Sequence, residues 1–380
     1  MTILLAFIFG LFLAYANGAN DNFKGVATLF GSGTTDYKKA LAWATFTTLS
    51  GSLVALILAH GLLATFSGKG LVPDTVVALK SFSIAVVLAS ALTVMLATFL
   101  GFPISTTHAL TGSLIGAGWI ASSAGVNLSK LGSSFFGPLI VSPILAIALA
   151  TVIYPVFRFV RQKLGVEKET CVCVGTEIVA VVPQSLSRIQ LQTITQNQVL
   201  ETLPSIRFGT DAVCREVYSG NLLGINARST LDVLHFLSAG IVSFARGLND
   251  TPKIAALLLV GANLPPTFVI VSVAVVMALG GLLNAKKVAE TMSHRVTEMN
   301  AGQGFTANLI TGCIVISASK FGLPVSTTHV SCGALFGIGT ITRQAHWKTI
   351  ASILVAWVTT LPLAAFLGAL SFGILRGVIE

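Results

Sequence analysis

Apolar runs separated by short polar breaks cover almost the whole chain. Runs at 2–17, 40–64, 81–100, 104–121, 136–157, 231–246, 267–283, 303–320, 326–341 and 349–375 predict helices at bilayer depth, where ~20 residues make a crossing. Two shorter apolar runs, 22–31 and 253–264, follow polar breaks and predict half-helices. The one long polar stretch, 162–228, holds runs beginning at Thr170 and Ile178 that suit strands better than helices. The pattern therefore divides the chain into a membrane half at 1–161, a soluble insert at 162–228 and a second membrane half at 229–380.

The polar breaks come in pairs. Asn20-Asp21-Asn22-Phe23-Lys24 returns as Asn249-Asp250-Thr251-Pro252-Lys253, an offset of 229 residues. Pro103-Ile104-Ser105-Thr106-Thr107-His108 returns as Pro324-Val325-Ser326-Thr327-Thr328-His329, an offset of 221, and 10 of 18 residues agree between 101–118 and 322–339. The chain is thus a duplication with one insert. Matching polar breaks in the two halves of a membrane protein point to a secondary transporter with its site at the repeat interface. The fold class expected is an all-α polytopic membrane protein. It has two inverted-topology repeats with broken helices and re-entrant hairpins, about 10–12 membrane segments in all.

Composition agrees. Hydrophobic residues make up 54% and charged residues 10%, against about 25% charged in soluble domains. The net charge of +9 is no nucleic-acid signal, because Lys and Arg collect in the loops between spans. The stretch from Arg158 to Arg228 holds eight of them and is placed in the cytoplasm; Lys38, Lys39, Lys286, Lys287, Arg295, Arg343 and Lys348 fall on that side too. Lys130 falls outside, as do Lys69 and Lys80 against the rule. The expected location is the cell (inner or plasma) membrane. Residues 1–16 lack a basic start and a cleavage site, and read as a first membrane helix rather than a signal peptide. Cys171 and Cys173 form a C-x-C pair with Cys214 in the same stretch; without partner spacing they read as reduced thiols, like Cys313 and Cys332.

The two motifs carry the candidate chemistry. Proline disfavours helix before it, so Ser105 and Ser326 are natural N-caps of helices at 105–121 and 326–341. The first N–H groups of such helices lack internal partners and, with the helix dipole, suit an oxyanion. Ser105, Thr106, Thr107, Ser326, Thr327 and Thr328 add hydroxyl donors. The competing reading is a capped turn packed through Gly112-x-x-x-Gly116 and Gly333-x-x-x-Gly337. Asp21 and Asp250 lie in apolar surroundings, where a carboxylate is costly and marks function. With Asn20, Asn249 and backbone unwound at Gly18 and Gly247, they suit a monovalent cation or a proton; Pro252 reads as a first helical residue. Ion pairs with Lys24 and Lys253 at i,i+3 are the structural alternative. His108 and His329 suit packing. Thr306 and Asn308 are polar without counterparts in the first half, and form a weaker candidate ion site.

At these residues the chain resembles the inorganic phosphate transporter (PiT) family. Gly18-Ala19-Asn20-Asp21, Gly247-Leu248-Asn249-Asp250 and the two Gly-x-Pro-x-Ser-Thr-Thr-His stretches look like its signatures. Gly302-Gln303-Gly304-Phe305 and Leu335-Phe336-Gly337-Ile338-Gly339 fit as well. The resemblance implies import of inorganic phosphate by alternating access, with phosphate held between the Asn-Asp motifs and the Ser-Thr-Thr tips. Sodium would sit on Asp21, Asp250, Asn20 and Asn249 as the coupling ion, and the carrier would form a homodimer without a tightly bound cofactor. A carboxylate facing the anion would favour phosphate, which has a proton to donate, over sulfate. Lys24 and Lys253 depart from many relatives. Some relatives carry a glutamate at the position of Asn308 or near Thr48. A proton-coupled phosphate or sulfate carrier is the alternative within the class. A membrane serine hydrolase built on Ser105 and His108 is remote, since neither serine has a nucleophile elbow around it. Nothing resembles a channel filter.

Overall fold

The structure, a computed structural model, describes residues 2–58, 60–122, 125–167, 170–181, 199–210, 223–262 and 264–379. The first half comprises α1 (Thr2–Asp21), a 3-10 turn (Lys24–Val26), α2 (Ala27–Gly31), α3 (Tyr37–Leu58), α4 (His60–Phe66), α5 (Asp74–Val77), α6 (Lys80–Leu100), α7 (Thr106–Ala121), α8 (Leu128–Leu131) and α9 (Gly137–Lys163). Three strands follow: β1 (Thr170–Val181), β2 (Val199–Thr210) and β3 (Leu223–Asn226). The second half holds α10 (Ala227–Ala262), α11 (Pro266–Asn284), α12 (Lys286–Glu290), α13 (Ala301–Lys320), α14 (Thr327–Thr342) and α15 (Trp347–Ile379).

Among the described residues, 8 helical stretches are long and apolar enough to cross a membrane. A helix satisfies its backbone groups internally, as hydrocarbon requires. Their outer faces are apolar as well: Val358 on α15 is 75% exposed and Phe366 65%, as expected of side chains meeting lipid tails. Polar side chains are instead gathered inside.

Both halves turn into their re-entrant helices in the same way. α6 ends at Gly101 with φ +78° and α13 is followed by Gly322 with φ +68°, left-handed positions that favour glycine. A proline follows two residues on, then a serine whose side chain caps the next helix: Ser105 accepts from the backbone N–H of His108 at 3.1 Å, and Ser326 from that of His329 at 3.2 Å. The helices so begun, α7 and α14, are 16 residues each. That is about 24 Å long at 1.5 Å per residue, short of a ~30 Å hydrocarbon core. The runs 104–121 and 326–341 are therefore helices that stop short of a full span.

The glycine repeats expected to pack these helices do so. Gly112 and Gly116 bring α7 onto the carbonyls of Leu361 and Ala365 in α15, while Gly333 and Gly337 bring α14 onto those of Pro143 and Ile147 in α9. A Cβ on Gly116 would stand 1.8 Å from the Ala365 oxygen. Gly116→Val is therefore expected to lower stability by about 3 kcal/mol or more, read as reduced thermal resistance in detergent.

The two Asn-Asp motifs differ from expectation and from each other. In the first half α1 ends at Asp21 and the chain passes through a 3-10 turn, so the break is real. In the second half α10 runs unbroken through Asn249, Asp250 and Pro252. Pro252 is thus inside a helix, where its missing N–H leaves only one backbone bond unmade. Nor do Gly18 and Gly247 unwind anything. Both are helical and allow close packing: a Cβ on Gly18 would lie 1.9 Å from the Met277 oxygen, and one on Gly247 2.1 Å from that of Thr48.

Residues 156–234 form a compact unit of their own, wider than the expected insert because the ends of α9 and α10 belong to it. Its sheet is antiparallel in the order β2-β1-β3, with Thr170 opposite Thr210 and Cys171 opposite Asn226. The runs from Thr170 and Ile178 make one strand, with Val182 outside the described residues. Cys313 and Cys332 are free thiols, Cys171 is buried, and Cys214 lies outside the described residues. Asp36, before α3, accepts the Lys39 backbone N–H at 2.9 Å, which holds its carboxyl below the usual range. Lys69 and Lys130, both expected on the outer side, lie together: Lys130 Nζ donates to the Lys69 carbonyl at 3.0 Å.

Candidate functional site

Five charged side chains are buried among the described residues, and all five meet where the tips of α7 and α14 approach the Asn-Asp motifs: Asp21, Lys24, Arg246, Asp250 and Lys253. Lys24 Nζ donates to Asn20 Oδ1 at 2.8 Å, to the Ile104 carbonyl at 2.8 Å, to Thr328 Oγ1 at 2.7 Å and to Asp21 Oδ1. Lys253 Nζ donates to Thr107 Oγ1 at 2.8 Å, to the Val325 carbonyl at 2.8 Å and to Asp250 Oδ1 at 3.2 Å. Each lysine binds its own aspartate, a carbonyl at the tip in its own half and a threonine at the tip in the other.

The tips hold each other reciprocally. Thr107 Oγ1 donates to the Val325 carbonyl at 3.3 Å and Thr328 Oγ1 to the Ile104 carbonyl at 2.8 Å. Exchanging the halves turns one contact into the other, which is the mark of a two-fold relation. The asparagines extend it. Asn20 accepts the Ile104 N–H at 3.2 Å and donates to Thr98 Oγ1 and the Phe102 carbonyl at 2.9 and 3.1 Å. Asn249 donates to Asp250 Oδ1 and the Val325 carbonyl at 3.1 and 3.2 Å, and accepts from Ser319 at 3.2 Å. Ser319 is the counterpart of Thr98 by the 221-residue offset.

The largest departure from this symmetry in charge is the pair Asn17 and Arg246, which occupy equivalent positions by the 229-residue offset. Arg246 Nη2 donates to Asn17 Oδ1 at 2.7 Å, and Nη1 to Asn22 Oδ1 and Thr48 Oγ1 at 3.1 and 3.3 Å. Its Nε stands 3.8 Å from Asp250 Oδ2. Asn17 Nδ2 reaches Asp21 Oδ2 and Thr106 Oγ1, both at 2.9 Å, and Asp250 Oδ2 at 3.4 Å. Thr106 in turn donates to Asp21 Oδ2 at 3.1 Å. Three cationic and two anionic groups leave one net positive formal charge in an interior where an unbalanced ion costs several kcal/mol. The arrangement suits a monoanion.

Of the residues expected at the site, Asn20, Asp21, Lys24, Thr106, Thr107, Asn249, Asp250, Lys253 and Thr328 join this network. Ser105 and Ser326 are buried caps of the tips, and Thr327 is buried at the position equivalent to Thr106. The ion pairs expected at i,i+3 exist, and they lie within this buried cluster. His108 and His329 pack behind the tips, ring centroids 4.4 Å apart, with His329 stacked on Trp357 at 3.8 Å. Asn308 belongs elsewhere. It accepts from Thr28 at 3.0 Å and donates to Ser238 at 3.3 Å, in a chain that continues from Thr28 to His235 at 3.1 Å. Thr306 bonds within its own helix, to the Gly302 carbonyl.

Sequence reasoning missed Arg246 and Asn17. The signal was there: an ionisable residue in an apolar run, one turn before Asp250. The symmetry of the cages also makes a prediction. Thr107→Val and Thr328→Val each remove one lysine partner and one bond between the tips. They are expected to destabilise equally, by about 1.5–3 kcal/mol, in paired thermal melts.

A multi-pass helical membrane protein whose duplicated halves bring polar helix tips together over buried charge is built as a transporter, not as an enzyme. The chain belongs to the phosphate transporter family, which it matches over residues 17–368. It is similar to a "probable low-affinity inorganic phosphate transporter" of Rhizobium meliloti, 28% identical over 95% of this chain and 93% of that one. The chloroplastic inorganic phosphate transporter 2-1 of Arabidopsis thaliana is 26% identical over 96% of this chain and 70% of its own length. Among solved structures, one named "The sodium-dependent phosphate transporter" shares the fold with a TM-score of 0.74, at 22% identity and full coverage of both chains.

Proposed function

We propose that the chain imports inorganic phosphate across the cell membrane as a secondary carrier, by alternating access of two inverted repeats about the buried cluster. The observation that carries this reading is the reciprocal meeting of two capped helix tips around groups with one net positive charge. Ser105, Thr106, Thr107, Ser326, Thr327 and Thr328 hold phosphate oxygens through hydroxyls and helix N-termini. Asn20, Asn249 and the Asp–Lys pairs face the anion from the other side. A route toward it is supported by a cleft of about 660 Å³ whose lining includes Thr65, Ser67, Lys69, Lys130 and Ala256. Ala256 lies one turn beyond Lys253, and Lys253 Nζ stands 5.8 Å from the ring centroid of Phe66, next to Thr65 and Ser67. Two basic side chains at such a mouth concentrate anions. The polar insert is proposed to be cytoplasmic, and the assembly a homodimer.

Sodium on Asp21, Asp250, Asn20 and Asn249 is the first reading of the coupling, in line with the name of the structural neighbour. A second reading, transport without sodium, is favoured by a specific observation: both carboxylates are already engaged by lysines. The test is labelled-phosphate uptake into proteoliposomes, first under a sodium gradient at equal pH, then under a pH gradient without sodium. Phosphate uptake competed by arsenate but not by sulfate supports the substrate assignment. No phosphate uptake in either condition would overturn it.

A further inference from the structure

We propose that the ε-ammonium groups of Lys24 and Lys253 are tethered stand-ins for bound sodium ions: each fills an oxygen cage of the kind that holds a sodium ion, and the carrier moves its anion without dissolved sodium. The inference deepens the carrier reading above and decides between its two forms of coupling.

The cages carry the argument. Lys24 Nζ is surrounded by four oxygens of four kinds: the Asn20 amide and Ile104 carbonyl at 2.8 Å, the Thr328 hydroxyl at 2.7 Å and the Asp21 carboxylate. Carboxylate, carbonyl and amide oxygens are the donors that hard cations take. Lys253 Nζ has the equivalent carbonyl, hydroxyl and carboxylate at 2.8, 2.8 and 3.2 Å. Each cage draws on both halves of the chain, as a coupling cation's seat must if its occupancy is to be felt by the moving parts.

The seats are also closed to exchange. Lys24 is 3% exposed and Lys253 1%, so neither ammonium can yield its place to a dissolved ion by swinging into water. Charge points the same way. With its three cations and two carboxylates the cluster stands at one net positive charge, and a monoanion brings it to zero. A sodium ion added before the anion would raise it to two. Without both lysines the cluster has one net negative charge, and two sodium ions would restore the present value. A lysine therefore does electrostatically what a bound sodium would do, with no translational freedom left to lose.

The full chain, purified and reconstituted, tests this by labelled-phosphate exchange with equal phosphate on both sides, in sodium or in N-methylglucamine at matched ionic strength. The wild-type chain is expected to exchange at rates within twofold in the two salts, and its melting temperature to be the same in both. Lys24→Ala/Lys253→Ala is expected to melt several degrees higher in sodium than in N-methylglucamine, and to exchange at least tenfold faster in sodium. Wild-type exchange that falls tenfold or more without sodium would overturn the proposal, and so would a folded double variant whose melting and exchange ignore sodium. If the double variant does not fold, Lys253→Ala alone is read in the same way; if neither folds, the wild-type salt comparison decides. A wild-type chain that exchanges no phosphate in either salt would refute the phosphate reading, while a sodium-specific melting shift in the variant would still support the tethered cations.

Discussion

Asp21→Asn is expected to reduce phosphate uptake about 100-fold or more and to lower the melting temperature. Asp21 Oδ1 meets the Lys24 ammonium, and Oδ2 accepts from Asn17 at 2.9 Å and from Thr106 at 3.1 Å. An amide keeps one acceptor, but its NH2 must face a donor on one of these sides. It also raises the cluster from one net positive charge to two. Removing one partner of a buried ion pair costs about 3–5 kcal/mol, and ~3 kcal/mol is about a hundredfold in an equilibrium. The control is Asp21→Asn combined with Lys24→Met, which returns the net charge to one. It is expected to recover about 0.5–3 kcal/mol of stability relative to the sum of the single changes. Wild-type uptake in the single Asn variant would remove Asp21 from the site.

The site was legible in the sequence to the extent that it is symmetric. Two motifs, each repeated once, at offsets of 229 and 221 residues, pointed to the lysines, aspartates, asparagines and tip threonines, and the structure brings them together. The GxxxG stretches were legible because small residues four apart have one use between closely packed helices. Arg246 was overlooked because its counterpart, Asn17, is neutral, so comparing the halves conceals it. Length misled at α7 and α14. Their apolar runs count as spans, yet each begins at a buried polar tip and has only 16 residues to travel. The unbroken α10 escaped because proline is read locally as a helix start, whereas a long helix packed on both sides of Pro252 tolerates one missing N–H. Asn308 was rightly noticed as costly in an apolar span, but its partners, Thr28 and Ser238, lie far off in sequence and in no repeated motif.

Arg246→Gln is expected to raise the KM for phosphate about 100-fold while changing the maximal rate far less. The guanidinium is the one cation of the cluster without a counterpart in the other half, and without it the formal charge falls to zero. An entering monoanion then creates a buried negative charge instead of cancelling a positive one. At an effective dielectric constant of ~20 and a separation of about 5 Å, one unit charge is worth ~3 kcal/mol, which gives the hundredfold. Arg246→Lys separates charge from geometry. It keeps the positive charge but cannot reproduce the fork whose two ends reach Asn17 at 2.7 Å and Asn22 at 3.1 Å. Its KM is expected to rise about tenfold, roughly the value of one hydrogen bond to a charged group. A purely structural Arg246, bracing Asn17 against α1, would give another pattern: both substitutions would lower the melting temperature and the maximal rate together, and the KM of the surviving protein would stay that of the wild type.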